Sequence, residues 1–269
     1  MAHALVLLHR YTIKLTKVSA DTLGSTRTGN RDIQVLVTIH LEGASSPGRL
    51  AELTGAGRNT AGRALSRLES AGWTSRTPDP HDRRSVLIRL TPKGRRRIRA
   101  FMSGVSDLHV SEHSLVKEVL ELIDFDPYRK DRVGTSDPYE AVAAITRAGA
   151  EYVEDVIVTL SRFGPHAASD RFTLALLYVR GAQRPGQLAE EIHFSPSGVS
   201  GVLTRLEDWG LVSRMRRQGP DDRRALIVTL TPRGRSAAEA MVDVCRQHSE
   251  EIAAALTLTL GATRSSAST

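Results

Sequence analysis

The chain has 269 residues, of which 40% are hydrophobic and 25% charged, with a formal net charge of +7; that is room for two domains of ordinary size, each with its own core. Its one cysteine, Cys245, excludes an internal disulfide and any cysteine-built zinc site, and suits a reducing cytoplasm. The early apolar run from Ala4 to Leu8 is too short for a membrane span and has no small-residue cleavage site behind it, so the expectation is a cytoplasmic protein with no membrane partner.

In chain order, the spacing of apolar residues predicts a helix from Ala4 to Ser19, a loop from Gly24 to Asn30, and a helix from Asp32 to Leu41 that stops at Gly43. Ser46 before Pro47 marks the start of a short helix to Leu53. A Gly-containing turn leads to a helix from Arg58 to Ser70, on which Ala61, Ala64, Leu65 and Leu68 recur at helical spacing. Trp73 to Arg76 and Ser85 to Leu90, with Pro78-Asp79-Pro80 between them, read as a hairpin. Thr91-Pro92 opens a helix carrying Ile98, Phe101, Met102 and Val105, and another helix runs from Ser111 to Ile123.

The second half repeats the plan, with helices from Pro138 to Phe163, Ser169 to Val179, Pro185 to Ile192 and Pro196 to Trp209, then a hairpin over Leu211 to Leu230. A long final helix is expected from Pro232 to Leu256. These elements divide the chain into a first domain over 1–125, a linker over 126–137, a second domain over 138–261 and a disordered tail over 262–269. The fold class is mainly α with small β-hairpin wings.

The repeat is explicit in the residues. Leu50-Ala51-Glu52, Leu65-Ser66-Arg67-Leu68-Glu69, Gly72 and Ser75-Arg76 return at one spacing as Leu188-Ala189-Glu190, Leu203-Thr204-Arg205-Leu206-Glu207, Gly210 and Ser213-Arg214. Both copies continue to Asp-Arg-Arg at 82–84 and 222–224 and to Thr-Pro-basic-Gly-Arg at 91–95 and 231–235. Helix, short helix, turn, helix and hairpin make a winged helix-turn-helix. These motifs resemble the MarR family of bacterial transcriptional regulators over both copies almost end to end, the second copy more closely. The first departs at Trp73-Thr74 and Gly57-Arg58.

That resemblance implies homodimers joined through their terminal helices and presenting two recognition helices to a pseudo-palindromic duplex site. In this chain it implies two domains paired as an intramolecular pseudo-dimer, a monomer that binds double-stranded DNA as dimers do. The tether would remove any dependence on protein concentration. Transcription regulation, by repression, is the family expectation. Relatives also bind small aromatic anions in a crevice between helices, for which Tyr11, His40, Tyr152, His166 and Tyr178 are candidate linings.

A helix fits the major groove with its N-terminal side chains on base edges. In the first copy this assigns DNA binding to Arg58, Asn59, Thr60, Arg63 and Arg67, with Asn59 and Arg63 as direct base readers. In the second the matching positions give Ser195, Ser197, Ser200, Thr204 and Arg205, a face of small residues that also contains Gly198 and Gly201. Either the backbone must approach DNA closely there, or that copy no longer reads sequence. The wing tips supply Arg83, Arg84, Arg216, Arg217, Arg223 and Arg224 for the minor groove, and the resemblance implies that Asp82 and Asp222 orient them. Lys93, Arg95, Arg96, Arg97 and Arg99 read as charge on an exposed helix face. The charge is uneven: residues 1–130 hold 21 Lys+Arg against 13 Asp+Glu (net +8), and 131–269 hold 16 against 17 (net −1).

Other chemistry is thin. There is no phosphate-binding glycine loop, nucleophile elbow or carboxylate cluster, so no enzyme, catalytic residue, cofactor or metal is expected. His109 and His113 have ligand spacing with Glu112 beside them, but with no third ligand evident a solvated helix face is the preferred reading. Cys245 reads as an inert helix thiol. Two alternatives stay open: a winged-helix protein-interaction module, and nonspecific DNA binding.

Overall fold

The computed structural model describes residues 1–24, 29–80, 82, 85–123, 138–165, 167–216 and 226–266. The linker expected over 126–137 lies outside them. Helix α1 spans Ala2–Leu23, α2 Asn30–Glu42, α3 Pro47–Leu53 and α4 Arg58–Ser70. Strand β1 (Ala44–Ser45) precedes α3, and β2 (Thr74–Pro78) and β3 (Val86–Leu90) follow α4. Helices α5 (Pro92–Ser111) and α6 (His113–Leu122) complete the first copy. In the second, α7 spans Pro138–Leu160, α8 Ala168–Arg180, α9 Pro185–Ile192 and α10 Pro196–Asp208. Strands β4 (Val212–Arg216) and β5 (Leu226–Leu230) lead to α11 (Pro232–Gln247) and α12 (Ser249–Ser266).

Two of these differ from what periodicity predicts. Helix α1 runs four residues past Ser19, because Leu23 at its end is 1% exposed in the core and tertiary packing carries the helix to it. The expected single final helix is broken at His248, which no glycine or proline announces. The His248 N–H bonds the Val244 carbonyl, Ser249 Oγ donates to the Arg246 carbonyl at 2.7 Å, and the His248 ring meets Asp155 of α7 at 2.8 Å. Side chains thus satisfy the end of α11. Helix α12 then continues to Ser266, through the start of the segment expected to form a tail.

The chain forms two compact units, and their borders are not those of the sequence repeat. One gathers 1–11, 118–125 and 152–250; the other gathers 12–117, 126–151 and 251–269. Each unit is therefore built from segments of both halves. In the second of these, Val35, Leu36 and Ile39 of α2, Leu50 of α3, Ala64, Leu65 and Leu68 of α4, Ile88 of β3, and Ile98 and Phe101 of α5 form one core, joined by Val142 of α7. In the other, α8 packs on α9, α10 and α11, burying Leu174, Leu188, Val202, Leu206 and Met241.

The wings follow one plan. In the first copy the strand order is β1-β3-β2, antiparallel, with Arg76 opposite Ile88. In the second, β4 pairs β5 with Arg214 opposite Val228. A single bridge, Gln183 to Val228, takes the place of β1.

Candidate nucleic-acid interface

The candidate recognition helices are α4 and α10. Each is apolar on one side only: Ala61, Ala64, Leu65 and Leu68 are 0–1% exposed, and so are Val199, Val202, Leu203 and Leu206. The other face is left to solvent. On α4 it carries Arg58, Asn59 and Arg63, all exposed, with Thr60 half-buried. On α10 it carries Ser195, Ser197, Ser200 and Thr204, also exposed. The helix starts differ as well. Gly57 caps α4 without a side-chain bond, whereas Ser195 Oγ accepts the Gly198 N–H at 3.2 Å and lies 3.0 Å from Ser197 Oγ.

Arg67 and Arg205 have another role besides the one expected of them. Arg67 Nε lies 3.1 and 3.0 Å from the two carboxylate oxygens of Asp32, and Nη2 donates to Asp32 Oδ1 at 2.6 Å. Arg205 Nη2 donates to Asp170 Oδ1 at 2.6 Å and Nε reaches Oδ2 at 3.4 Å. The carboxylates are 3% and 1% exposed, while the guanidinium side chains are 52% and 45% exposed. Each pair ties the recognition helix to the first turn of the helix two before it, α2 for α4 and α8 for α10, and the bonding to the carboxylate raises each arginine's pKa. Asp32 also accepts the Gly29 N–H at 3.2 Å. Asp32 and Asp170 belong to none of the repeated motifs; their only sequence signal is a shared separation, an aspartate 35 residues before this arginine in both copies.

A second duplicated contact braces the wing. Arg76 Nε donates to Glu69 at 2.8 Å, and Arg214 donates to Glu207, so the first wing strand is tied to the end of the recognition helix in each copy. Hydrogen bonding to Arg214 holds the Glu207 carboxyl below its usual range.

The Thr-Pro-basic-Gly motif is explained by packing. Thr91 Oγ1 donates to the Gly72 carbonyl at 2.7 Å and accepts the Gly94 N–H at 3.0 Å; Thr231 repeats this with Gly210 at 2.6 Å and Gly234 at 3.0 Å. A Cβ on Gly94 would sit 2.0 Å from the Trp73 carbonyl oxygen, and one on Gly234 would sit 1.8 Å from that of Leu211. Only glycine lets the helix start this close to the strand.

Of the expected wing residues, Arg216 is exposed on β4 and Asp82 is exposed at the hairpin turn. Arg83, Arg84, Arg217, Asp222, Arg223 and Arg224 lie outside the described residues. The basic residues after Thr91 are mostly exposed, as expected, and three of them also cap carbonyls: Lys93 that of Ala71 at 2.9 Å, Arg95 that of Leu90 at 2.7 Å and Arg97 that of Thr22 at 2.9 Å.

The residues proposed to line a ligand crevice do not share one unit. Tyr11, Tyr152 and Tyr178 belong to one, His40 to the other, and His166 is outside the described residues. The reading of His109 as solvated is corrected: it is 3% exposed, and burial pushes its pKa down to about 4. His113 starts the next helix, and no cluster of three metal-ligating side chains occurs among the described residues. Cys245 is 1% exposed, and burial pushes its thiol up to about 11. No helix among the described residues is long and apolar enough to cross a membrane.

Two helix-turn-helix elements, each followed by an antiparallel wing, define the class: this is a tandem winged-helix protein. The MarR family model matches residues 30–86 and again 168–226, two stretches in tandem. It is 35% identical over 72 residues to the uncharacterized HTH-type transcriptional regulator YwhA of Bacillus subtilis, covering 27% of this chain and 50% of that protein. It is 38% identical over 61 residues to the multiple antibiotic resistance protein MarR of Salmonella typhimurium, covering 23% and 42%. The chain thus spans half or less of the length of these curated relatives. A MarR mutant of Escherichia coli, solved in complex with operator DNA, is 28% identical over 42% of this chain and 79% of its own, with a TM-score of 0.34.

Proposed function

We propose that this chain is a sequence-specific DNA-binding transcriptional regulator. The observation that carries the reading is the outward face of α4, where Arg58, Asn59 and Arg63 stand exposed on a helix whose other face is locked into a core. Arginine pairs with guanine and asparagine with adenine through two hydrogen bonds each, so these side chains can tell base pairs apart in the major groove. The duplicated Asp–Arg and Glu–Arg ties support it, because base reading needs a helix and wing held at a fixed angle. The match to a family of transcriptional regulators, twice in one chain, supports it independently.

In this reading the two segments serve as the two halves of a dimer within a single chain. The composition of the compact units, each drawing on both halves, favours that arrangement. Arg83, Arg84, Arg216, Arg217, Arg223 and Arg224 contact the flanking minor groove or its phosphates. Occupying a promoter duplex is sufficient for repression.

Fluorescence anisotropy with labelled duplexes tests this. Affinity should fall with salt by roughly 0.9 log unit per log unit for each phosphate neutralised. Arg63→Ala should relax base preference while retaining binding to random duplex. A protein-interaction module would show neither salt-dependent binding nor any effect of Arg63.

A further inference from the structure

The two recognition helices have the same inward face and unlike outward faces. From this we infer that the chain recognises an asymmetric duplex site, in which α4 selects bases and α10 lies against the DNA without selecting among them. The inference rests on the DNA-binding function proposed above and specifies its partner: a duplex with one defined half-site rather than two.

The buried positions correspond one to one. Ala61, Ala64, Leu65 and Leu68 of α4 become Val199, Val202, Leu203 and Leu206 of α10, and all eight are 0–1% exposed. The Asp–Arg tie is kept in both. The buried face of the helix and the ion pair that holds it are therefore the same in both copies. The presented face has not: Arg58, Asn59 and Arg63 are replaced by Pro196, Ser197 and Gly201. Each replacement shortens the side chain, and none leaves a group able to bond a base edge in the two-point manner of arginine or asparagine.

What remains on α10 is already engaged or short. Ser195 caps the helix and contacts Ser197, and Arg205 is bonded to Asp170. Gly201 is not imposed by packing, since a Cβ there would come no nearer to another atom than 3.8 Å, at Arg205 Nη1. An exposed mid-helix glycine weakens a helix relative to alanine, and here no neighbour requires it. The result is a smooth polar surface that backbone and hydroxyl groups can bring close to a duplex whatever its sequence. The charge follows the same division, +8 through residue 130 and −1 from 131 on, with counts of 21 against 13 and 16 against 17. A homodimer could not divide the work this way, since its two helices are identical. A tandem chain can.

The test is selection of duplexes from a random pool by the full chain at fixed salt, with anisotropy on the selected site. The wild type should enrich one defined half-site. Arg63→Ala and Asn59→Ala should each cut discrimination between selected and random duplex about tenfold, corresponding to about 1.4 kcal/mol, whereas Ser197→Ala and Ser200→Ala should change it less than twofold. The double substitution Ser197→Asn, Gly201→Arg, the second change of which replaces an unconstrained glycine and improves helix propensity, should add a second defined half-site. Enrichment of two equally defined half-sites by the wild type would overturn the inference while leaving DNA recognition intact. Duplex retained with no enriched sequence would overturn base reading by α4 as well. Absence of any duplex binding at low salt would instead defeat the proposed function itself.

Discussion

Arg63 and Arg67 lie one turn apart on α4, yet their contacts give them different work. Replacing Arg67 with methionine keeps the aliphatic stem but strands the Asp32 carboxylate, which is 3% exposed. Removing one partner of a fully buried pair costs roughly 3–5 kcal/mol. Here the arginine side chain is 52% exposed and Asp32 keeps the Gly29 N–H at 3.2 Å, so the loss should be about 2 kcal/mol. Urea unfolding followed by tryptophan fluorescence reads it. In a Trp209→Phe background the signal comes from Trp73, which belongs to the same compact unit as Asp32 and Arg67. Arg63→Ala, on the exposed face, should stay within about 0.5 kcal/mol of the parent. A double-mutant cycle of Asp32→Ala with Arg67→Met should give a coupling of at least about 1 kcal/mol. If Arg67→Met unfolds at the same urea concentration as Arg63→Ala, the clamp contributes nothing to stability and the reasoning fails.

Three further outcomes are expected. Gly94→Ala and Gly234→Ala place a methyl group within 2.0 and 1.8 Å of a carbonyl oxygen, so each should destabilise by about 3 kcal/mol. Gly62→Ala, into open space, should be neutral or stabilising in thermal unfolding; equal effects at all three sites would contradict the packing account. His109 has a folded pKa near 4 against an ordinary 6.5, so its contribution to stability is present above pH 6.5 and is lost as pH falls toward 4. The loss is up to about 3 kcal/mol. Denaturation midpoints across that window should decline, and His109→Leu should flatten the decline; an unchanged slope would implicate other groups. Cys245, with its thiol pushed from 9.0 to about 11, should react with a disulfide reagent at pH 8 roughly 100-fold more slowly in the native chain than in denaturant. Comparable rates would place the thiol at the surface.

Much of the architecture was legible because its punctuation is local. Ser46-Pro47, Thr91-Pro92 and Ser195-Pro196 are N-caps followed by proline, and helices start there as read. The apolar stripe of α4 named its buried face residue by residue. The break at His248 escaped because it is made by tertiary contacts to Asp155 and by a serine satisfying a carbonyl, neither of which has a local signature. The burial of His109 is hidden for a related reason, since an i, i+4 spacing says nothing about which face is covered. The helix positions of Arg67 and Arg205 suggest DNA alone; their carboxylate partners lie 35 residues upstream, beyond any local pattern.

The borders of the compact units bear on how the chain is made. One unit needs residues 1–11 together with 152–250, and the other needs 12–117 together with 251–269. During synthesis, neither can be finished while the ribosome is still in the first half of the message, and the second unit waits for α12. Contacts this distant in sequence slow folding and leave apolar helix faces uncovered for longer. Cutting the gene at the repeat boundary would therefore yield two fragments that each lack part of a core, despite their tidy appearance as separate domains in the sequence.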